Sequence, residues 1–281
     1  MSEPRTAPLI GDRTVRVAGL VLVASLLVYI LIPVTVTLVM SFSGDQQLRF
    51  PIRSWSLSWY IDFASSEQWT GALRNSLIVA SGTMLLSTVC GMGAAWAFTQ
   101  HRLPAASLIY LLIVLPLFMP GVVLGLGVAM TFSRIEVMGY SLFGSHILII
   151  LAHSLWAMPL VFLLMEAVFR TFDRRQLEAA LDLGARPTRA FLEVVLQAVI
   201  TGVVSSALFA FVISLNEFVM ALFLTDRDSQ TLPVLMWLSL RSAATPGLAV
   251  AAVVLSLPVL IVLGLVLVYR LSRGAPLAAS R

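Results

Sequence analysis

The sequence predicts an all-α polytopic membrane protein with six transmembrane helices, and three observations predict it. Of its 281 residues 59% are hydrophobic and 11% are charged, with a mean hydropathy of +0.97. Apolar runs of about 20 residues, the length of helix that crosses a hydrocarbon core, recur along the whole chain. The breaks between them hold most of the charge and alternate between arginine-rich and arginine-poor. A soluble domain could hide one or two such helices, but this chain has too little polar surface to cover the rest.

The spans fall at about 17–40, 72–98, 106–131, 146–169, 198–224 and 248–269. Residues 1–16 are polar, and the run that follows is longer than a cleavable signal and has no small-residue cleavage site behind it, so it reads as a retained first span. The connection 41–71 mixes Trp55, Leu57, Trp59, Tyr60, Ile61 and Phe63 with polar residues, which suits the headgroup level or an external partner. The second span holds Cys90, the sole cysteine, which excludes an internal disulfide. The third concentrates Pro116, Pro120, Gly121, Gly125 and Gly127 and should kink or break, bordering a water-filled path or a helix interface where freed carbonyls find partners.

In the fourth span His146 and His153 stand about 10 Å apart along a helix, too far for one metal ion, and with Trp156 they read as packing residues. Glu166 precedes Arg170 by one turn, a structural ion pair. The fifth span carries the sharpest internal feature, Asn216 and Glu217, the latter about eight residues or roughly 12 Å from the outer end. A carboxylate at that depth costs about 2.5–3.5 kcal/mol unless it meets water, a partner or a solute. Two readings stand: the pair lines a path and offers negative charge to a cation, or Glu217 makes a structural bond, for instance to Arg241 or a neighbouring subunit. The last span leads into a short tail, 271–281.

All 18 basic residues are arginine. With both ends in the cytoplasm, 12 of those 18 fall in inside segments, the distribution the positive-inside rule expects. The basic pI of about 9.8 therefore reads as topology, not as nucleic-acid binding. A chain without lysine also lacks the G-x-x-x-x-G-K-[ST] loop that cradles ATP phosphates, so it can hold no such site itself.

One inside connection, 171–197, is long, charged and patterned like two short helices. Leu177, Ala180, Leu181 and Gly184 fall at helical spacing and make a shallow apolar face. Gly184 suits a left-handed helix stop and Pro187 the first turn of the next helix, which makes a helix-turn-helix elbow. Within it Glu178-Ala179-Ala180, with Gly184 four positions after the second alanine, resembles the E-A-A-x-x-x-G signature of the inner-membrane permeases of ATP-binding-cassette (ABC) importers, the type I, binding-protein-dependent family. Val194, Val195 and Leu196 continue the family pattern, but Gln197 stands where proline is usual, which leaves the start of the fifth span open.

The resemblance implies a type I ABC importer transmembrane domain over 17–270, with the segment around Glu178, Ala179, Ala180, Leu181 and Gly184 as a cytoplasmic coupling helix seated in a separate ATPase. Further along, Ser214-Leu-Asn-Glu-Phe-Val, Gln230-Thr-Leu-Pro-Val and Thr245-Pro look like the spermidine/putrescine branch. That branch implies a second homologous permease, an ATPase dimer that supplies ATP and Mg²⁺ chemistry, a periplasmic solute-binding protein, and residence in a bacterial inner membrane. Asn216, Glu217, Pro116 and Pro120 are the candidate path residues, with no cofactor or metal expected in this chain. Related permeases carry opines, aminophosphonates, iron or sulfate. An ion-driven carrier would more typically show inverted repeats with matched broken helices, and an intramembrane enzyme a clustered site such as H-E-x-x-H; neither pattern is found.

Overall fold

The computed structural model describes residues 12–137 and 139–272. Among the described residues the secondary structure is helical apart from a two-residue antiparallel ladder, β1 (Glu136–Val137) with β2 (Tyr140–Ser141), and an isolated bridge between Ser43 and Trp55. Its helices are α1 (Asp12–Ser41), α2 (Ser58–Ser65), α3 (Glu67–Gln100), α4 (Ala106–Val114), α5 (Gly121–Phe132), α6 (His146–Thr171), α7 (Arg174–Asp182), α8 (Pro187–Ala190), α9 (Leu196–Asn216), α10 (Val219–Leu224), α11 (Leu232–Ser242) and α12 (Gly247–Ser272). Among the described residues four helices are long and apolar enough to cross a membrane, over Val15–Ser41, Glu67–Gln100, His146–Thr171 and Pro187–Asn216, and a bent pair adds a fifth if counted as one span. The polar tail read as 1–16 is cut into by α1, which starts at Asp12; residues 1–11 and 273–281, and with them most of both tails, lie outside the described residues.

The centre is a packed trio, α3, α6 and α9. Helices surrounded by lipid gain little from hiding apolar surface from each other, so they approach through small residues. At Gly91 of α3 a Cβ would stand 2.9 Å from the Met158 carbonyl oxygen of α6, so only glycine permits that crossing. Two apolar clusters result. Toward the end that carries α7, Ala95, Val161, Phe162, Met165, Phe169, Val195 and Val199 pack together. Toward the opposite end, Val79, Leu148, Ile149 and Ala152 meet Met220 and Leu224 of α10. By contrast α1 has none of its apolar window buried and touches the rest mainly along α12.

Two spans are broken, each for a local reason. The third divides into Ala106–Phe118 and Gly121–Phe132, bent by 104°. Proline forces its predecessor out of the helical region, and Met119, before Pro120, is extended with ψ 135°. The break anticipated from the proline content is therefore present.

The fifth span, expected as one helix over 198–224, is not one. It starts earlier, running without interruption from Pro187 through a π-helical stretch, Phe191–Val195, so Gln197 marks no boundary. It also stops earlier, at Asn216, where Glu217 turns extended with ψ 123° before α10 begins. The connection that follows contains α11, opened by Pro233 in its first turn.

Candidate functional site: the elbow and the broken helices

The elbow forms as the sequence reading expects. Asp173 caps α7 by accepting a hydrogen bond from the Arg175 N–H at 3.1 Å. At the other end Gly184 has φ +86°, a value that suits glycine, and two bonds close the turn: Gly184 N–H to the Leu181 carbonyl at 2.9 Å and Ala185 N–H to the Ala180 carbonyl at 3.1 Å. This 5→2 and 6→1 pair is the Schellman stop, and it satisfies carbonyls the helix leaves free. The Arg174 guanidinium donates to the Thr99 carbonyl in the last turn of α3, where the helix dipole favours a cation. Leu177 packs on the adjoining apolar cluster, whose edge is a set of aromatic contacts of Trp96 with Phe169 and Phe191.

The apolar face proposed for α7 is consequently split. Leu177 and Ala180 are half-buried toward the bundle, whereas Glu178, Ala179, Leu181, Asp182 and Gly184 face away from it. Leu183, at the tip and 89% exposed, was not singled out by spacing, because it lies on the turn and not on the helical face.

Asn216 and Glu217, adjacent in sequence, diverge in space. Glu217 is buried, and its two carboxylate oxygens accept the Met220 and Ala221 N–H groups at 3.0 Å each, so it caps α10 from the break. Its Oε2 also stands 3.2 Å from Nε2 of His153, whose Nδ1 contacts Ser214 Oγ at 2.8 Å. Of the two readings of Glu217, this geometry matches the structural bond: the carboxylate is turned inside the subunit and engaged, with His153 and not Arg241 beside it. Asn216 instead is exposed and lines a cavity of about 430 Å³ with Thr37, Phe218, Met236, Trp237 and Leu240. The Phe218 and Trp237 rings meet there at 5.5 Å between centroids, tilted by 54°.

At the other break, the Pro116 carbonyl accepts the Trp156 indole N–H at 2.9 Å. Pro116 and Pro120 thus sit at a break held by α6, as Glu217 does. Glu166 and Arg170 form the expected pair, at 2.7 Å.

One polar cluster escaped the sequence reading. Asn75 of α3 donates to the Asp228 and Gln230 carbonyls at 2.8 and 3.0 Å, and its Oδ1 meets His146 Nε2 at 2.9 Å. Next to it Ser76 accepts the Leu232 N–H at 2.7 Å. Together they pin the 225–231 loop to the bundle. The available signal was an asparagine at the start of an apolar span, where a polar amide needs partners. In the 41–71 connection the aromatics divide: Trp59 bonds the Asp45 carbonyl, Tyr60 bonds Ser41 and Phe63 is buried, while Trp55, Leu57 and Ile61 are exposed.

A bundle with several helices apolar enough to cross a membrane, an exposed elbow at one end and two broken helices inside has the architecture of a membrane transport subunit. The chain belongs to the family of binding-protein-dependent transport system inner membrane components, which it matches over residues 87–275, and it is an ABC importer permease. It is similar to the putrescine transport system permease protein PotI of Escherichia coli strain K12, 27% identical over 79% of this chain and 80% of that one. The spermidine/putrescine transport system permease protein PotC of Haemophilus influenzae is 27% identical over 83% and 90%. The molybdenum transport system permease protein ModB of Mycobacterium bovis is 30% identical over 75% and 81%. Among solved structures, a bacterial ABC transporter that imports the acidic polysaccharide alginate shares the fold, with a TM-score of 0.67 at 16% identity over 94% of this chain and 99% of the other.

Proposed function

We propose that this permease moves a polyamine inward across a bacterial inner membrane, driven by a separate ATPase dimer that seats on the α7 elbow. The exposed, Schellman-closed elbow carries the docking part of this reading: a short rigid helix offering Glu178, Ala179, Leu181 and Leu183 away from the bundle has the shape a partner's groove can hold. ATP and Mg²⁺ belong to that partner. A second homologous permease covers α1, whose apolar side chains lie bare along the subunit, and lipid covers the rest. A periplasmic binding protein delivers solute at the end opposite the elbow. In this arrangement α12 and the bent third helix complete six spans, with both termini in the cytoplasm.

The polyamine assignment is supported by the likeness to PotI and PotC. The cavity at Asn216 is compatible with it, since an amide and the faces of Phe218 and Trp237 can receive an ammonium group without a full opposing charge. A second reading, a small oxyanion, is favoured by the likeness to ModB. Uptake of labelled putrescine, spermidine and molybdate into the source bacterium, with the gene intact, deleted and restored, separates the two. Loss and recovery of polyamine uptake alone is expected; loss and recovery of molybdate uptake alone would replace the polyamine assignment.

A further inference from the structure

We propose that His153 and Trp156 are positioning residues for transport, the two links by which the fourth span carries a displacement of the elbow to both broken helices at once. The inference rests on the reading of α7 as the ATPase seat. The two side chains lie three residues apart and therefore on one face of α6. His153, 1% exposed, touches both sides of the fifth-span break, through Nδ1 to Ser214 in the last turn of α9 and through Nε2 to the Glu217 carboxylate that starts α10. Trp156 holds the third-span break, donating to the Pro116 carbonyl and lying so close to Gly121 that a Cβ there would stand 3.0 Å from its ring.

The two short helices beyond the breaks are themselves locked together. At Gly125 of α5 a Cβ would come within 2.9 Å of the Met220 Cα of α10, so the pair moves as one piece. From His153 the helix runs about 27 Å to Thr171. Over that length Phe162, Met165 and Phe169 are buried against α3 and α9, and close-packed interiors transmit a shift instead of absorbing it. Two residues past Thr171 the elbow begins, with Asp173 as its cap. A push at α7 therefore reaches Asn216 and Phe218, which flank the Glu217 turn and line the cavity, by way of one helix and two polar contacts. Such a device needs discrete linkages, because coupling between sites is carried by contacts that differ between two arrangements.

The test uses the assembled complex of both permeases, ATPase and binding protein in proteoliposomes. The exposed Cys90 is first replaced by serine, and spin labels are placed at Thr225, just past α10, and at Glu67, the start of α3. Putrescine uptake per ATP hydrolysed and the change in label distance on adding ATP are read together.

His153→Ala is expected to leave ATP hydrolysis running while uptake per ATP falls about tenfold, the scale of one lost buried hydrogen bond, the one His153 makes with Ser214, beside its close contact with the Glu217 carboxylate. Its ATP-driven label movement should vanish. His153→Gln, which keeps an N–H toward Glu217, should restore most of both, and Trp156→Phe, which keeps an aromatic side chain and loses the donor to Pro116, should lower both. Full label movement in His153→Ala and Trp156→Phe overturns the inference, as does a parallel fall of hydrolysis, uptake and assembled complex, which marks plain structural support. A wild-type complex whose labels ignore ATP sinks the elbow reading itself, a result distinct from responsive variants.

Discussion

Asn75 shows what a single amide does in a protein with few polar groups. Its two donated bonds satisfy carbonyls of the 225–231 loop, and its oxygen holds His146, so truncation removes three part-buried hydrogen bonds at once. Asn75→Ala should destabilise the detergent-purified protein by about 1–3 kcal/mol, the scale of losing several part-buried hydrogen bonds together. Thermal unfolding followed by tryptophan fluorescence checks this.

In the same loop Asp226 feels burial, which opposes its ionisation, but the Ser229 hydroxyl and the Ser229 and Asp228 N–H groups outweigh it. Together they hold the carboxyl below the ordinary aspartate range. A folded pKa below the unfolded one means the unfolded chain binds more protons in that window. The contribution is therefore complete above about pH 4 and is lost as pH falls through the folded value. Asp226→Asn should flatten the acid limb of a stability-against-pH curve and leave the neutral region little changed in shape.

At the scale of an element, the elbow depends on its stop. Alanine at Gly184 must adopt φ +86°, a left-handed conformation that costs an L-residue about 1–2 kcal/mol, so the α7–α8 turn should loosen. Glu178→Arg and Gly184→Asp should both abolish uptake while the protein still reaches the membrane, read as transport against membrane-fraction abundance. Normal uptake in both variants would refute docking at this element. The broken helices follow from different chemistry. The third span breaks because Pro120 pushes Met119 into an extended conformation, whereas the fifth breaks because the Glu217 carboxylate caps a new helix better than the chain could continue the old one.

At the scale of the molecule, stability depends on three helices meeting through small residues. Gly91→Leu would force side-chain atoms into the Met158 carbonyl of α6 and should cost about 1–3 kcal/mol as overpacking. Assembly with partners should suffer less than thermal stability, since the crossing lies between α3 and α6 inside this subunit. The exposure of α1 over residues 15–35 is a feature of the same scale, because only another chain or lipid can cover it.

Much of this was legible in the chain because a membrane imposes strong, local rules. Apolar run length marked the helices, proline marked the third-span break, and the spacing from Glu178 to Gly184 marked the elbow, since a helix and its stop are set by neighbours in sequence. The division of Asn216 from Glu217, the partnership of Glu217 with His153 and the anchoring by Asn75 were not legible. The last two join residues about 60 to 150 positions apart, and the first follows from the Glu217–His153 contact, through side-chain geometry that periodicity does not encode. The sequence by itself determined that this is a helical membrane permease with an elbow at one end. Only the tertiary structure decided where the buried charge points, because that depends on which side chains the packed helices bring within reach.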